Sequence, residues 1–181
     1  VIIAFIGRLI DGKGTHDLIT ALAELKRDNI VCFIIGSGPE ETRLKKMTKE
    51  LQIENKIIFF GNLPFHEAIG ILKTADIAVN PSYTEGLPTS VTEAALCQKA
   101  IIATHVGGTK EIVSGKNDGY LINPKDIEQL KEKIIDLIDH PEKRITFGQN
   151  AYQEACGKFS WNESAQKYLA VFTELLENRK I

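Results

Sequence analysis

At 181 residues, 43% of them hydrophobic, the chain is long enough to bury one full core and suits a single domain. Its 22 basic and 24 acidic residues leave a net charge of -2, which gives no electrostatic case for nucleic acid. No run of like charges marks a polybasic membrane patch or an acidic tail.

The opening Val1-Ile2-Ile3-Ala4-Phe5-Ile6 is far too short to span a bilayer and lacks the basic flank of a signal peptide, so it reads as a buried strand. From there apolar runs alternate with helical patterns, the signal for parallel strands joined by crossover helices. Strands are expected near residues 1–6, 30–35, 56–60, 76–80, 100–104 and 119–122. Helices are expected near 15–27, 40–51, 65–74, 89–97, 109–114, 126–139, 142–155 and 163–178. The fold class is therefore α/β, a doubly wound, Rossmann-like parallel sheet, with any ligand outside the carboxyl ends of its strands.

After the first strand, Gly7-Arg8-Leu9-Ile10-Asp11-Gly12-Lys13-Gly14 comes close to a P-loop, but Gly14 stands where that motif needs a hydroxyl for magnesium. The loop still sits between a strand and a helix, where Arg8 can meet phosphates by fork geometry and Lys13 as a point charge. After the second strand, Gly36-Ser37-Gly38 suggests a dinucleotide fingerprint, yet Glu41 replaces its third glycine, which argues against a dehydrogenase.

Asn80-Pro81-Ser82 ends the fourth strand, because proline cannot continue a ladder and Asn and Ser favour turns. Glu85 is then a loop residue. Pro88 stands ahead of the helix that begins at Thr89, and the first turn of that helix offers free N–H groups to an anion. Glu93 lies about one turn inside that helix at ~1.5 Å rise per residue, so the two acids flank whatever anion the N-terminus holds.

In the helix near 126–139, Ile127, Leu130, Ile134, Leu137 and Ile138 keep one face, which is expected to pack on the sheet. The last helix places Trp161, Ala165, Tyr168, Leu169, Phe172 and Leu176 along one side. Cys32, Cys97 and Cys156 fall in apolar contexts without metal-ligand spacing and are expected as reduced, packed thiols of a cytoplasmic protein. There is no Asp-x-Asp pair and no His/Cys cluster to chelate a metal, and the histidines His16, His66, His105 and His140 are scattered.

In this order the pieces resemble the retaining glycosyltransferases of family 4, whose Glu-x7-Glu element has the form Glu85-Gly86-Leu87-Pro88-Thr89-Ser90-Val91-Thr92-Glu93. The resemblance covers nearly the whole chain. It includes Gly7-Arg8-Leu9, Lys13-Gly14, Gly36-Ser37-Gly38-Pro39, Phe60-Gly61-Asn62-Leu63, Pro81-Ser82, Val106-Gly107-Gly108, Glu111-Ile112-Val113 and Gly119-Tyr120-Leu121-Ile122.

It implies that residues 1–181 are the nucleotide-sugar-binding, C-terminal half of a GT-B enzyme, a domain of a longer protein whose acceptor half precedes it. The implied enzyme moves a sugar from a nucleoside diphosphate to a saccharide or lipid-linked acceptor with retention, as in polysaccharide biosynthesis, without cofactor or metal. Arg8 and Lys13 would stabilise the departing phosphate and Glu85 would orient the sugar, the three acting as catalytic residues. Glu93 would hold the ribose, and Asn62, Leu63, Gly86, Leu87, Thr89 and Ser90 would complete the donor site. The C-terminal helix near 163–178 would cross back towards the missing N-terminal domain, the alternative being that its stripe packs on its own domain. The resemblance places the full-length enzyme in the cytoplasm, with peripheral association to the inner face of the membrane as a further expectation.

Two positions depart from the family. His105 stands where relatives carry Asp, and Pro88 replaces a Gly whose N–H could reach the sugar. Two other classes remain open: a sugar-nucleotide epimerase or hydrolase with the same fold, and a nucleotide-binding regulatory module without activity.

Overall fold

A computed structural model describes residues 1–177 as one six-stranded, wholly parallel sheet in the order β3-β2-β1-β4-β5-β6. The strands are β1 Ile2–Ile6, β2 Val31–Ile35, β3 Ile57–Gly61, β4 Ile77–Asn80, β5 Ala100–Thr104 and β6 Tyr120–Ile122. They carry near-continuous apolar runs because helices cover both faces of the sheet, and every residue of β4 and β5 is buried.

Side-chain alternation divides that burial between two cores. Ile3, Phe5, Ile77, Val79 and Ile102 pack in one core against α1 (Thr15–Glu24), α2 (Glu41–Glu50) and α6 (Ile127–Asp139). Ala4, Ala78, Ile101 and Ala103 face the other core, with α3 (Phe65–Thr74), α4 (Thr89–Leu96), α5 (Thr109–Ile112) and α7 (Pro141–Lys158). Small Ala side chains on that face let α4 and α7 approach the sheet closely. Each fully buried Ile or Leu contributes about 1.5–3 kcal/mol of burial.

All six expected strands and all eight expected helices are present, with ends shifted by a few residues. Helix α6 starts where Asp126 caps it by accepting from Gln129 N–H at 2.9 Å, and it buries Leu130, Ile134, Leu137 and Ile138. That face packs on α1 as well as on the sheet.

One expectation fails, and so does the alternative for the last helix. Cys32 is buried, but Cys97 is only partly covered and Cys156 is exposed. Ala151 and Ala155 hold the inward stripe of α7, and one step of about 100° from Ala155 turns Cys156 towards solvent. The last helix, α8 (Trp161–Glu177), buries none of its described residues, and Trp161 is 92% exposed. Its apolar stripe therefore does not pack on its own domain. Residue 178, the expected end of that helix, lies outside the described residues. No helix among those described is long and apolar enough to cross a membrane.

Candidate active site at the switch point

Strands β1 and β4 are neighbours, although the chain leaves β1 towards β2 and leaves β4 towards β5. The crevice beyond their carboxyl ends is the topological switch point, where doubly wound sheets bind ligands. The loop after β1 carries Arg8 and Lys13, and the loop after β4 carries Glu85.

These loops touch. Gly14 adopts φ 63°, and a Cβ there would lie 2.1 Å from the Pro81 carbonyl oxygen, so only glycine fits. A 3-10 turn, Asp11–Lys13, ends at that glycine and turns Lys13 towards the second loop. Lys13 Nζ then reaches Glu85 Oε1 at 2.7 Å, with the side chains 21% and 10% exposed.

The Glu85 loop is also braced from behind. Gly107, at φ 50°, abuts the Glu85 carbonyl so closely that a Cβ would approach it to 1.9 Å, and Gly108 N–H donates to Gly86 O at 2.6 Å. Thr104 Oγ1 donates to Ser82 O. His105 is exposed and contributes its backbone N–H to Ile122 O at 2.8 Å, so this turn holds without a carboxylate at that position.

Arg8, Ser37, Asn62, Leu63, Phe65 and Glu93 line a cleft of about 520 Å³ across the ends of the first three strands. Six candidates thus form two groups: Arg8, Asn62, Leu63 and Glu93 share the cleft, while Lys13 pairs with Glu85 between the loops. Glu93 is half-buried, and desolvation pushes its carboxyl above the usual range. A carboxylate kept in that setting has spare acceptor capacity for hydroxyl groups.

Helix α4 begins at Thr89 with Pro88 as its cap. Val91 and Thr92 donate to the Pro88 carbonyl at 3.1 and 3.2 Å, so the amides of Thr89 and Ser90 remain as the free donors of the first turn. Ser90 Oγ already accepts from Asn80 Nδ2 at 3.0 Å, which anchors the start of α4 to the end of β4. Gly86, Leu87 and Thr89 are exposed.

The sequence reading missed several residues that gather here. His16, Asp17 and Tyr83 join the two loops, Lys125 stands 4.9 Å above the Tyr83 ring centroid, and Phe65 forms a rim of the cleft. The available signal was position: His16 and Asp17 follow the Lys13 loop directly, and Tyr83 precedes Glu85 by two residues.

Fold and crevice together define a doubly wound α/β domain of the GT-B glycosyltransferase kind. The chain belongs to the family described as Glycosyl transferases group 1, which it matches over residues 1–154. It is 34% identical to an uncharacterized glycosyltransferase of Methanocaldococcus jannaschii, covering 96% of this chain and 45% of that protein.

Among solved structures it is similar to Anabaena HepE in complex with UDP-glucose, with TM-score 0.88 and 25% identity over 96% of this chain and 48% of the other. It is also similar to the C-terminal domain of a glycosyl transferase group 1 family protein of Francisella tularensis. That match has TM-score 0.81 and 28% identity, and covers 88% of this chain and 86% of that domain. The chain thus spans about half the length of its full-length relatives.

Proposed function

We propose that the chain is the donor-binding, C-terminal domain of a retaining, metal-independent glycosyltransferase of family 4, acting on a nucleoside diphosphate sugar and a saccharide or lipid-linked acceptor. The observation that carries this reading is the Lys13–Glu85 pair at the switch-point crevice, a cation suited to phosphate beside a carboxylate suited to sugar hydroxyls. In the reaction the bond between the anomeric carbon and the diphosphate oxygen breaks, the acceptor hydroxyl oxygen bonds to that carbon on the same face, and the hydroxyl proton passes to the departing diphosphate. Arg8, Lys13 and the first amides of α4 neutralise the departing phosphate. Glu85 orients the sugar, and Glu93 accepts from ribose hydroxyls. Leu63 and Asn62, which line the same cleft as Arg8 and Glu93, are assigned to the nucleotide.

Calorimetry of the 181-residue chain with UDP, GDP, ADP, CDP and TDP is the direct test. Weak binding of at least one is expected, with no sugar transfer, because the acceptor half is absent. Arg8→Ala should weaken that diphosphate by about ten- to a hundred-fold and leave the free nucleoside within about twofold, since a charge-assisted bond is worth roughly 1.5–3 kcal/mol. No heat with any diphosphate at millimolar concentration would overturn the donor-site reading.

Glu93→Gln should separate stability from binding. A carboxyl whose folded pKa is raised holds its proton more tightly when folded, so ionised Glu93 opposes folding at neutral pH and ceases to do so below the ordinary carboxylate range. The variant should therefore melt higher than wild type at pH 7, and the gain should vanish as pH falls towards 4. It should also bind the ribonucleotide more weakly, with a smaller loss for the deoxy analogues. Unchanged melting at pH 7 with unchanged affinities would return Glu93 to an ordinary helix residue.

A further inference from the structure

Tyr83 ties the Lys13 loop to the Glu85 loop. Its phenol donates to Asp17 Oδ2 at 2.8 Å and meets His16 Nε2 at 2.8 Å, while its backbone N–H donates to Gly12 O at 2.9 Å. With the single phenolic proton given to Asp17, the second bond must be donated by His16 Nε2. That nitrogen also lies 3.4 Å from Asp17 Oδ1. The two rings meet edge to face at 5.9 Å, and the Lys125 ammonium covers the phenol ring from another side.

Asp17 is only 7% exposed. A carboxylate so covered is unfavourable unless a charge-assisted bond holds it, and here that bond comes from the Tyr83 phenol, with the His16 ring close by. Desolvation and Asp17 both push the phenol ionisation upwards, so Tyr83 remains a donor across the physiological range. His16 and Asp17 stand in the first turn of α1, three and four residues beyond Lys13, and Tyr83 stands two residues before Glu85. Between them the contact of Gly14 with Pro81 leaves no slack.

We propose that Tyr83 is a positioning residue for the donor site, its bonds to Asp17 and His16 fixing the Lys13 loop against the Glu85 loop. The spacing of phosphate and sugar contacts is thereby set, a role that rests on the assignment of Lys13 to phosphate and Glu85 to sugar. On this assignment Tyr83 acts through the two loops and not on the donor directly.

Tyr83→Phe removes the hydroxyl and keeps the ring. Calorimetry on the 181-residue chain should compare three probes: the diphosphate that wild type binds among the five above, its glucose conjugate, and its free nucleoside. Affinity for the conjugate is expected to fall about five- to tenfold, that for the diphosphate less, and that for the nucleoside by under about twofold. The double variant Tyr83→Phe/Asp17→Leu removes both partners of the buried bond, so it should recover melting temperature without recovering conjugate affinity. The role is overturned if Tyr83→Phe keeps all three affinities, loses all three equally, or regains conjugate binding together with melting temperature in the double variant. A wild-type chain that binds no diphosphate overturns the donor-site reading and this role with it. A wild-type chain that binds, beside an unaffected Tyr83→Phe, overturns the positioning role alone.

Discussion

Lys13→Ala should weaken nucleoside diphosphate binding by more than Arg8→Ala does, at the upper end of the ten- to hundred-fold range, while free nucleoside affinity stays within about twofold. Arg8 is exposed on the cleft wall, where solvent screens its charge. Lys13 is mostly covered and lies 2.7 Å from a carboxylate that is itself 10% exposed. Truncating Lys13 therefore does two things. On the proposed assignment it removes a charge-assisted bond to phosphate, and it leaves the Glu85 carboxylate without its partner beside the proposed anion site. The double variant Lys13→Ala/Glu85→Gln isolates the second effect, and it should regain part of the lost affinity because the stranded charge is gone. Titration calorimetry of the four proteins with diphosphate and nucleoside gives the whole cycle. Equal losses for both ligands, or a double variant weaker than Lys13→Ala, would remove Lys13 from the phosphate site.

The pair at the centre of that cycle shows what a linear chain conceals. Strands were legible because β4 and β5 are covered on both faces and so read as unbroken apolar runs, and α6 was legible because its inward residues repeat at helical spacing. Neither signal states which strands are neighbours. Lys13 and Glu85 are 72 residues apart, and Tyr83 and His16 are 67 apart; both contacts exist only because β1 pairs with β4. Arg8, Lys13, Glu85 and Glu93 could be chosen as candidates from loop position and resemblance. Their division into a cleft pair and a loop pair could not. Periodicity also leaves open what a stripe packs on: the stripe on α8 has the spacing of a core helix, yet Trp161, Tyr168, Phe172 and Leu176 are all exposed. Cys156 fails for a related reason, since an apolar neighbourhood in sequence does not fix which side of α7 a residue faces.

Glu85→Gln in the complete enzyme should lower kcat by about a hundred- to a thousand-fold, the scale on which preorganised charge stabilises a transition state. Affinity for the bare diphosphate should stay level or rise by a few-fold. The two results move apart because the proposed role gives Glu85 two partners at different stages. In the free site its Oε1 accepts from Lys13 Nζ. An entering diphosphate competes for that ammonium, so neutralising Glu85 releases Lys13 and assists the phosphates. Under the proposed function the sugar needs the carboxylate: as the anomeric bond stretches, the ring would gain positive character that a nearby negative charge opposes and a neutral amide does not. An interaction made mainly in the transition state lowers kcat and kcat/KM together, whereas one made equally in the ground state raises KM alone. The brace from Gly107 and Gly108 holds the backbone at residues 85 and 86, so a loss of turnover is not a loss of the loop. Steady-state kinetics paired with diphosphate calorimetry decide the matter. A variant that keeps wild-type kcat, or one whose diphosphate affinity falls as steeply as its turnover, would show that Glu85 does not face the sugar.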